Sequence, residues 1–368
     1  MALNDRARPQ VFDLKPYVPG KPISEVKREL GIDEVIKLAS NENPLGPSPK
    51  GKEAAHRAVD DLMLYPDGNC YELKQTLASY FKVSEKQLLI GNGSDEILKL
   101  LAETFLNVGD NIVCATPSFS EYEFVAGVMG AEIRMVPVNN FRLDLPAMLA
   151  QVDAKTKMFF VCNPNNPTGT ILYKDELDEL MAKIPASVLV IFDEAYYEYV
   201  EDERNQTGLS YLAAGYPNVV VLRTFSKIYG LAGLRVGYGI STEEVVDLVM
   251  RVREPFNVNL MAQEAAVAAI GDDDHVKRSC ANNSQGKSYL YREFDKLGFT
   301  YAPTEANFIL VDVGRNCQEV FTGLLKQGVI VRTGNIFGAD FVNYIRVTIG
   351  TPEQNERFIK ALKAVLEV

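Results

Sequence analysis

A chain of 368 residues has room for two domains around a large core, and 47% hydrophobic with 24% charged residues is ordinary for a globular protein. The net charge of −11 (38 Lys and Arg against 49 Asp and Glu) lacks the basic balance that nonspecific nucleic-acid binding needs. No stretch approaches the roughly 20 apolar residues of a membrane-crossing helix, and Arg6 and Arg8 are followed by no signal-peptide core, so the chain is expected in the cytoplasm.

Three prolines within residues 16–22 (Pro16, Pro19 and Pro22) forbid a helix there and predict an extended arm. Beyond it, apolar runs at 87–90, 111–115, 132–136, 158–162, 188–192, 219–222 and 236–240 alternate with helical patterns. That alternation predicts an α/β fold: a mostly parallel seven-stranded sheet wrapped by helices, in a large domain over residues 50–270. The tract Gly271-Asp272-Asp273-Asp274 reads as a solvated helix start. The helical pattern that follows runs to Leu297 and leads into a smaller α/β domain over 271–368, with strands at 308–311, 329–331 and 344–347 and a helix over 352–366. Residues 1–49 are assigned to the N-terminal arm and part of the small domain. The polar stretch 201–207 is expected to be an exposed loop.

Five scattered cysteines form no Cys-x-x-Cys pair, and Cys114 and Cys162, in apolar strands, read as buried free thiols. His56 and His275 lie in polar helical stretches without ligand-spaced partners. Both read as surface residues, and no metal site is expected.

Four strand ends carry the chemistry. After the run 87–90 comes Gly91-Asn92-Gly93-Ser94-Asp95-Glu96, opening a helix whose N-terminal N–H groups suit a phosphate. Ser94 and Asp95 equally suit N-capping, and Glu96 stands where a dinucleotide fingerprint wants a third glycine, which weakens a nicotinamide-dehydrogenase reading. After 158–162 comes Asn163-Pro164-Asn165-Asn166-Pro167-Thr168-Gly169, a turn made rigid by its prolines, from which Asn166 can offer a fixed hydrogen bond. After 188–192 comes Asp193-Glu194-Ala195-Tyr196, a carboxylate at the carboxyl edge of a parallel sheet, where ligands of open α/β folds bind. It fits a helix N-cap, or an anion beside a protonated pyridine nitrogen. After 219–222 comes Thr224-Phe225-Ser226-Lys227, with Gly230, Gly233 and Arg235 behind it. A lysine amine there suits covalent attachment of the carbonyl cofactor pyridoxal 5′-phosphate (PLP), with the hydroxyls and Arg235 on its phosphate.

Asn166-Pro167-Thr168-Gly169, Asp193-x-x-Tyr196 and Ser226-Lys227 with Arg235 resemble, in order and spacing, the fold-type I, class I/II aminotransferases, over essentially the whole chain. Residues 15–22, Ser40-Asn41-Glu42-Asn43-Pro44, Tyr65-Pro66-Asp67-Gly68 and residues 344–351 are similar to the histidinol-phosphate aminotransferase group within that family. The resemblance implies a PLP enzyme with Lys227 as the cofactor-linked lysine, Asp193 on the ring nitrogen, and Tyr196 and Asn166 on the ring oxygen. Ser94, Asp95, Thr224, Ser226 and Arg235 would surround the phosphate. Phe119 would stack on the ring, with Tyr122 the alternative, and Tyr65 would reach the phosphate from the second subunit of a homodimer. Arg346 would bind the anionic end of the substrate, with Arg332, Tyr17 and Asn43 beside it. The reaction so implied is transamination between L-histidinol phosphate and 2-oxoglutarate. An aromatic aminotransferase and a threonine-phosphate decarboxylase share much of the pattern. A non-catalytic PLP-binding module fits less well, because Lys227 and Asp193 are both present and no DNA-binding domain is appended.

Overall fold

All seven runs enter one sheet, and its interior strands are covered on both faces, which favours nearly continuous apolar side chains there. A computed structural model describes residues 6–14 and 20–367. Its strands are β1 (Ile36–Lys37), β2 (Leu88–Gly91), β3 (Asn111–Thr116), β4 (Glu132–Pro137), β5 (Thr156–Cys162), β6 (Leu189–Asp193), β7 (Val219–Thr224), β8 (Gly237–Ile240), β9 (Phe308–Asp312), β10 (Val329–Ile330), β11 (Arg332–Thr333) and β12 (Tyr344–Thr348). The large sheet has the order β2-β8-β7-β6-β5-β3-β4. Only β8 runs antiparallel to its neighbours; the other pairs are parallel.

Side-chain alternation divides the strands between two cores. Phe159, Val161, Val190, Phe192, Val219 and Val221 face one core, against Leu73, Leu77, Leu177, Leu180 and Ala262 of the helices Tyr71–Phe81, Lys174–Lys183 and Leu260–Ala269. Met158, Phe160, Cys162, Leu189, Ile191, Val220 and Leu222 face the other, against Ile97, Leu101, Tyr122, Val125, Val245 and Val249 of the helices Ser94–Phe105, Glu121–Met129 and Glu243–Met250.

A third core gathers Leu38, Ile309, Val311, Val329, Ile345, Val347, Phe358 and Leu362. Its antiparallel sheet has the order β11-β12-β9, while β1 pairs with β10 in parallel. The helix Asp273–Leu297 joins the two regions: Val276 and Cys280 pack on the large sheet, Leu290 and Phe294 in the third core. The N-terminal segment is shared too. Val26 and Ala39 pack with Leu325 and Ile330, whereas Arg8 donates to the Val128 carbonyl at 2.7 Å, beside the large sheet.

The topology sets where chemistry is possible. β2, β3, β5, β6 and β7 all point their carboxyl ends to one edge of the sheet. The reversal of β8 brings its amino end, with Arg235 just ahead of it, to that same edge. Cys114 and Cys162 are buried free thiols, as their strand positions predict. No helix of the described residues is long and apolar enough to cross a membrane.

Candidate active site

Lys227 follows β7 and is half-buried. Among the described residues its Nζ has no hydrogen-bond partner, and it sits 5.5 Å from the centre of the Tyr196 ring. Burial, and then the nearby Arg346 charge, pushes the amine down to about 8. A substantial fraction is therefore neutral and nucleophilic near physiological pH.

Asp193, the last residue of β6, is buried, with Oδ2 accepting from Tyr122 Oη at 2.7 Å and Oδ1 from the Ala195 N–H at 3.2 Å. Burial pushes this carboxyl up to about 6, against the pull of the Tyr122 hydrogen bond. Tyr122 is thereby corrected as the alternative stacking residue. Its ring is fully buried against Phe160, with centroids 4.4 Å apart at 14°, and its hydroxyl is engaged by Asp193. Phe119 stays half-buried, edge-on to Tyr122 at 5.7 Å.

The Asn163–Gly169 turn is held by Asn165, whose amide donates to the Pro117 carbonyl and to Thr168 Oγ1 while its oxygen accepts from Ser118 Oγ. This leaves Asn166 at the edge, where its Oδ1 accepts from Arg346 Nη1 at 2.5 Å. Arg346 Nη2 donates to the Ala39 carbonyl at 2.9 Å, and the guanidinium lies 5.2 Å from the Phe308 ring centre. Arg332 is its cross-strand partner on β11.

A second cluster lies where the helix Ser94–Phe105 begins. Gly93 has φ +82°, and a Cβ there would sit 2.6 Å from Arg235 Nη2. A Cβ at Gly237 would sit 2.5 Å from the Ser94 nitrogen. Gly237 lets β8 pass close to the helix start, and Gly93 leaves room for the Arg235 guanidinium, which donates to Asp95 Oδ2 at 3.0 Å and Ser226 Oγ at 3.4 Å. Thr224 Oγ1 accepts from the Ser226 N–H at 3.0 Å and shapes the turn. Asp95 is thus anchored by its carboxylate to Arg235, leaving its helix-start N–H as the group suited to an anion. Glu96, read only as a missing glycine, closes this loop by accepting from the Asn92 N–H at 2.6 Å and Asn257 Nδ2 at 2.6 Å.

Three other expectations change. Asn43 does not face the site: its amide nitrogen donates to the Ile228 carbonyl (2.8 Å) and Ser279 Oγ (2.9 Å) and lies 3.3 Å from His275 Nε2. The residue of that motif that does face it is Asn41, whose Nδ2 donates to Tyr196 Oη at 3.0 Å. His275 is not a surface residue but 1% exposed, and Asp272 is not a solvated helix start, since it is buried and accepts from Ser48 Oγ at 2.6 Å. Docking of the first turn of the helix Asp273–Leu297 against residues 43–50 explains both. Tyr17 lies outside the described residues. Tyr65 is 82% exposed and stacks on Phe256 at 4.8 Å.

Behind the site, Arg223 and Glu194 form a buried pair, with Nη2 2.7 Å and Nε 3.0 Å from Oε2. Thr207 Oγ1 and the Gly208 N–H also donate to Glu194, and Arg223 lies 3.8 Å from the Tyr197 ring centre. This pair braces the turn that follows Asp193. An apolar strand ending in consecutive acids gives no signal of which one turns inward to a cation.

The family model described as aminotransferase class I and II matches residues 33–362. The chain is 59% identical over 361 residues to a histidinol-phosphate aminotransferase of Moorella thermoacetica, covering 98% of this chain and 93% of that one. It is 48% identical over 359 residues to the protein of the same name from Caldicellulosiruptor saccharolyticus, covering 98% and 99%. Among solved structures, the Sinorhizobium meliloti histidinol-phosphate aminotransferase in complex with pyridoxal-5′-phosphate superposes with a TM-score of 0.90 at 26% identity, covering 98% of both chains. Matches of this extent settle the family: the chain belongs to the class I and II aminotransferases.

Proposed function

We propose that this chain uses PLP to transfer the amino group of L-histidinol phosphate to 2-oxoglutarate, giving imidazole acetol phosphate and L-glutamate in histidine biosynthesis. The observation that carries the substrate is the pair Arg332 and Arg346, side by side across β11 and β12, with Arg346 held over the site by Asn166 and Ala39. A planar guanidinium accepts a phosphate or a carboxylate through paired hydrogen bonds, so one residue can serve both half-reactions. The names and near-complete coverage of the two relatives support the same substrate.

The residues fit the cofactor. The glycine-lined cradle of Ser94, Ser226 and Arg235 offers a helix N-terminus, a hydroxyl and a guanidinium, the donor set of a phosphate site. Among the described residues Lys227 presents an amine without a hydrogen-bond partner, and Asp193 a buried carboxylate suited to a pyridinium N–H. When bound, PLP supplies an electron sink for charge developing at the substrate carbon.

The chain's own residues do the rest. Lys227 Nζ, neutral in part at physiological pH, would take the proton from the substrate carbon and hold it for return. Asp193 holds the ring-nitrogen proton. Asn166, its Oδ1 occupied by Arg346, has its NH₂ left to donate to the ring oxygen. Tyr196, held by Asn41, presents its hydroxyl to the same oxygen. Phe119 covers the ring face, and Arg346 with Arg332 orients the substrate anion.

The working form we propose is a cytoplasmic homodimer. Met63 (81% exposed), Leu62, Leu64 and Tyr65 form an exposed apolar run larger than isolated surface residues explain, which supports burial against a second copy with Tyr65 entering its site.

The deciding experiment compares PLP-loaded protein with L-histidinol phosphate and with L-phenylalanine, following glutamate formation from 2-oxoglutarate. A clear preference in kcat/KM for histidinol phosphate is expected. Preference for phenylalanine would make the chain an aromatic aminotransferase, and carbon dioxide release without use of 2-oxoglutarate would make it a decarboxylase.

A further inference from the structure

We propose that Tyr122 is the positioning residue of the Asp193 carboxylate: its hydroxyl, locked in place by packing, holds Oδ2 so that the carboxylate stays ionised and turns its remaining lone pairs to the cofactor's ring nitrogen. The proposal rests on the assignment of Asp193 to that nitrogen.

An ionised carboxylate has about four acceptor positions. Among the described residues two donors reach Asp193, Tyr122 Oη at 2.7 Å and the Ala195 N–H at 3.2 Å. The rest of its surroundings are largely apolar, and burial favours the neutral acid. A neutral acid would itself donate and could not stabilise a protonated ring nitrogen. The tyrosine hydroxyl is the stronger of the two opposing contacts, and burial keeps this phenol protonated, hence a donor, across the working range.

Packing makes the donor immobile. The Tyr122 ring lies flat on Phe160 of β5 and edge-on to Phe119, and its helix, Glu121–Met129, is fixed on the sheet by Val125 and Ala126. Phe119, the residue proposed on the cofactor's face, and Tyr122, behind its nitrogen partner, sit three residues apart on one rigid turn. A displacement of the carboxylate therefore works against the same packing that seats Phe119.

The test uses full-length enzyme loaded with PLP carrying ¹⁵N in the ring, compared as wild type, Tyr122→Phe and Asp193→Ala. Tyr122→Phe removes one oxygen and keeps the ring. Its ring-nitrogen resonance should titrate at a pH lower by about one unit, a tenfold change in the protonation equilibrium. The kcat should fall on the order of tenfold while KM for histidinol phosphate stays within about twofold, since the effect acts on the reacting ring and not on substrate binding. An unchanged ring-nitrogen titration in folded Tyr122→Phe overturns the proposal, whatever the activity does. Should Tyr122→Phe not fold, 3,5-difluorotyrosine at position 122 gives a stronger donor of nearly the same shape. It should raise the titration midpoint, and no shift there would overturn the proposal. A ring nitrogen indifferent to Asp193→Ala would instead sink the underlying assignment of Asp193, an outcome distinct from failure at Tyr122.

Discussion

Arg346 Nη1 stands 2.5 Å from Asn166 Oδ1, so the residue proposed to bind substrate also decides which end of the Asn166 amide faces the site. Arg346→Lys would keep the charge and lose both the fork and this contact. A point charge cannot grip an anion bidentately, and the loss of one charge-assisted hydrogen bond corresponds to ~2–3 kcal/mol, roughly 30- to 150-fold. We expect kcat/KM to fall by that order for both histidinol phosphate and 2-oxoglutarate in steady-state kinetics. Undiminished kinetics for either substrate would remove Arg346 from the shared anion site.

Lys227 and Arg346 also predict a pH effect on the cofactor-free protein. The native amine is pushed down to about 8 from an ordinary 10.5. Between those values the unfolded chain binds more protons than the native one, so this group makes stability rise with pH through the window. Below about 8 the buried charge is a constant cost. Lys227→Met should therefore unfold at higher denaturant than wild-type apoprotein at pH 7. The gain should be ~1–2 kcal/mol, discounted because the side chain is only half-buried, and it should vanish above about pH 10.5. Equal midpoints at pH 7 would mean that the amine is not held against its preference.

The sheet was legible because its strands are buried on both faces: the runs around Phe159–Val161 and Val190–Phe192 cannot be exposed anywhere, and their ends locate the site. Lys227, Asp193 and Asn166 follow such strands and could be picked by position and residue type. Tertiary contacts from distant segments could not. Asn41 and Asn43 are chemically identical and two residues apart, and only the packing of the helix Asp273–Leu297 decides that Asn43 turns to Ser279 while Asn41 turns to Tyr196. His275 looked exposed because its neighbours are charged; helical periodicity turns it inward while Asp273 and Asp274 stay in solvent.

That division of labour can be measured. Asn43→Ala leaves the Ile228 carbonyl, His275 and Ser279 short of a partner in a buried place, a cost of ~1–3 kcal/mol. It should lower the thermal midpoint with KM for histidinol phosphate unchanged. Asn41→Ala should act chiefly on kcat, through loss of the hydrogen bond to Tyr196. A rise in KM at Asn43 would return it to the substrate contacts.

Gly93 provides a test confined to the phosphate end. Its φ of +82° disfavours any side chain, and a Cβ would press within 2.6 Å of Arg235 Nη2. Because the clash is with the tip of a flexible side chain, Gly93→Ala should fold, with Arg235 pushed from its place beside Ser226 and Asp95. Affinity for PLP should fall about tenfold, the magnitude of one weakened charge-assisted contact plus left-handed strain. Affinity for pyridoxal, which has no phosphate, should change little. Fluorescence titration of the apoprotein with the two compounds separates the cases. An equal loss for both would mean that Gly93 supports the ring or the lysine, not the phosphate.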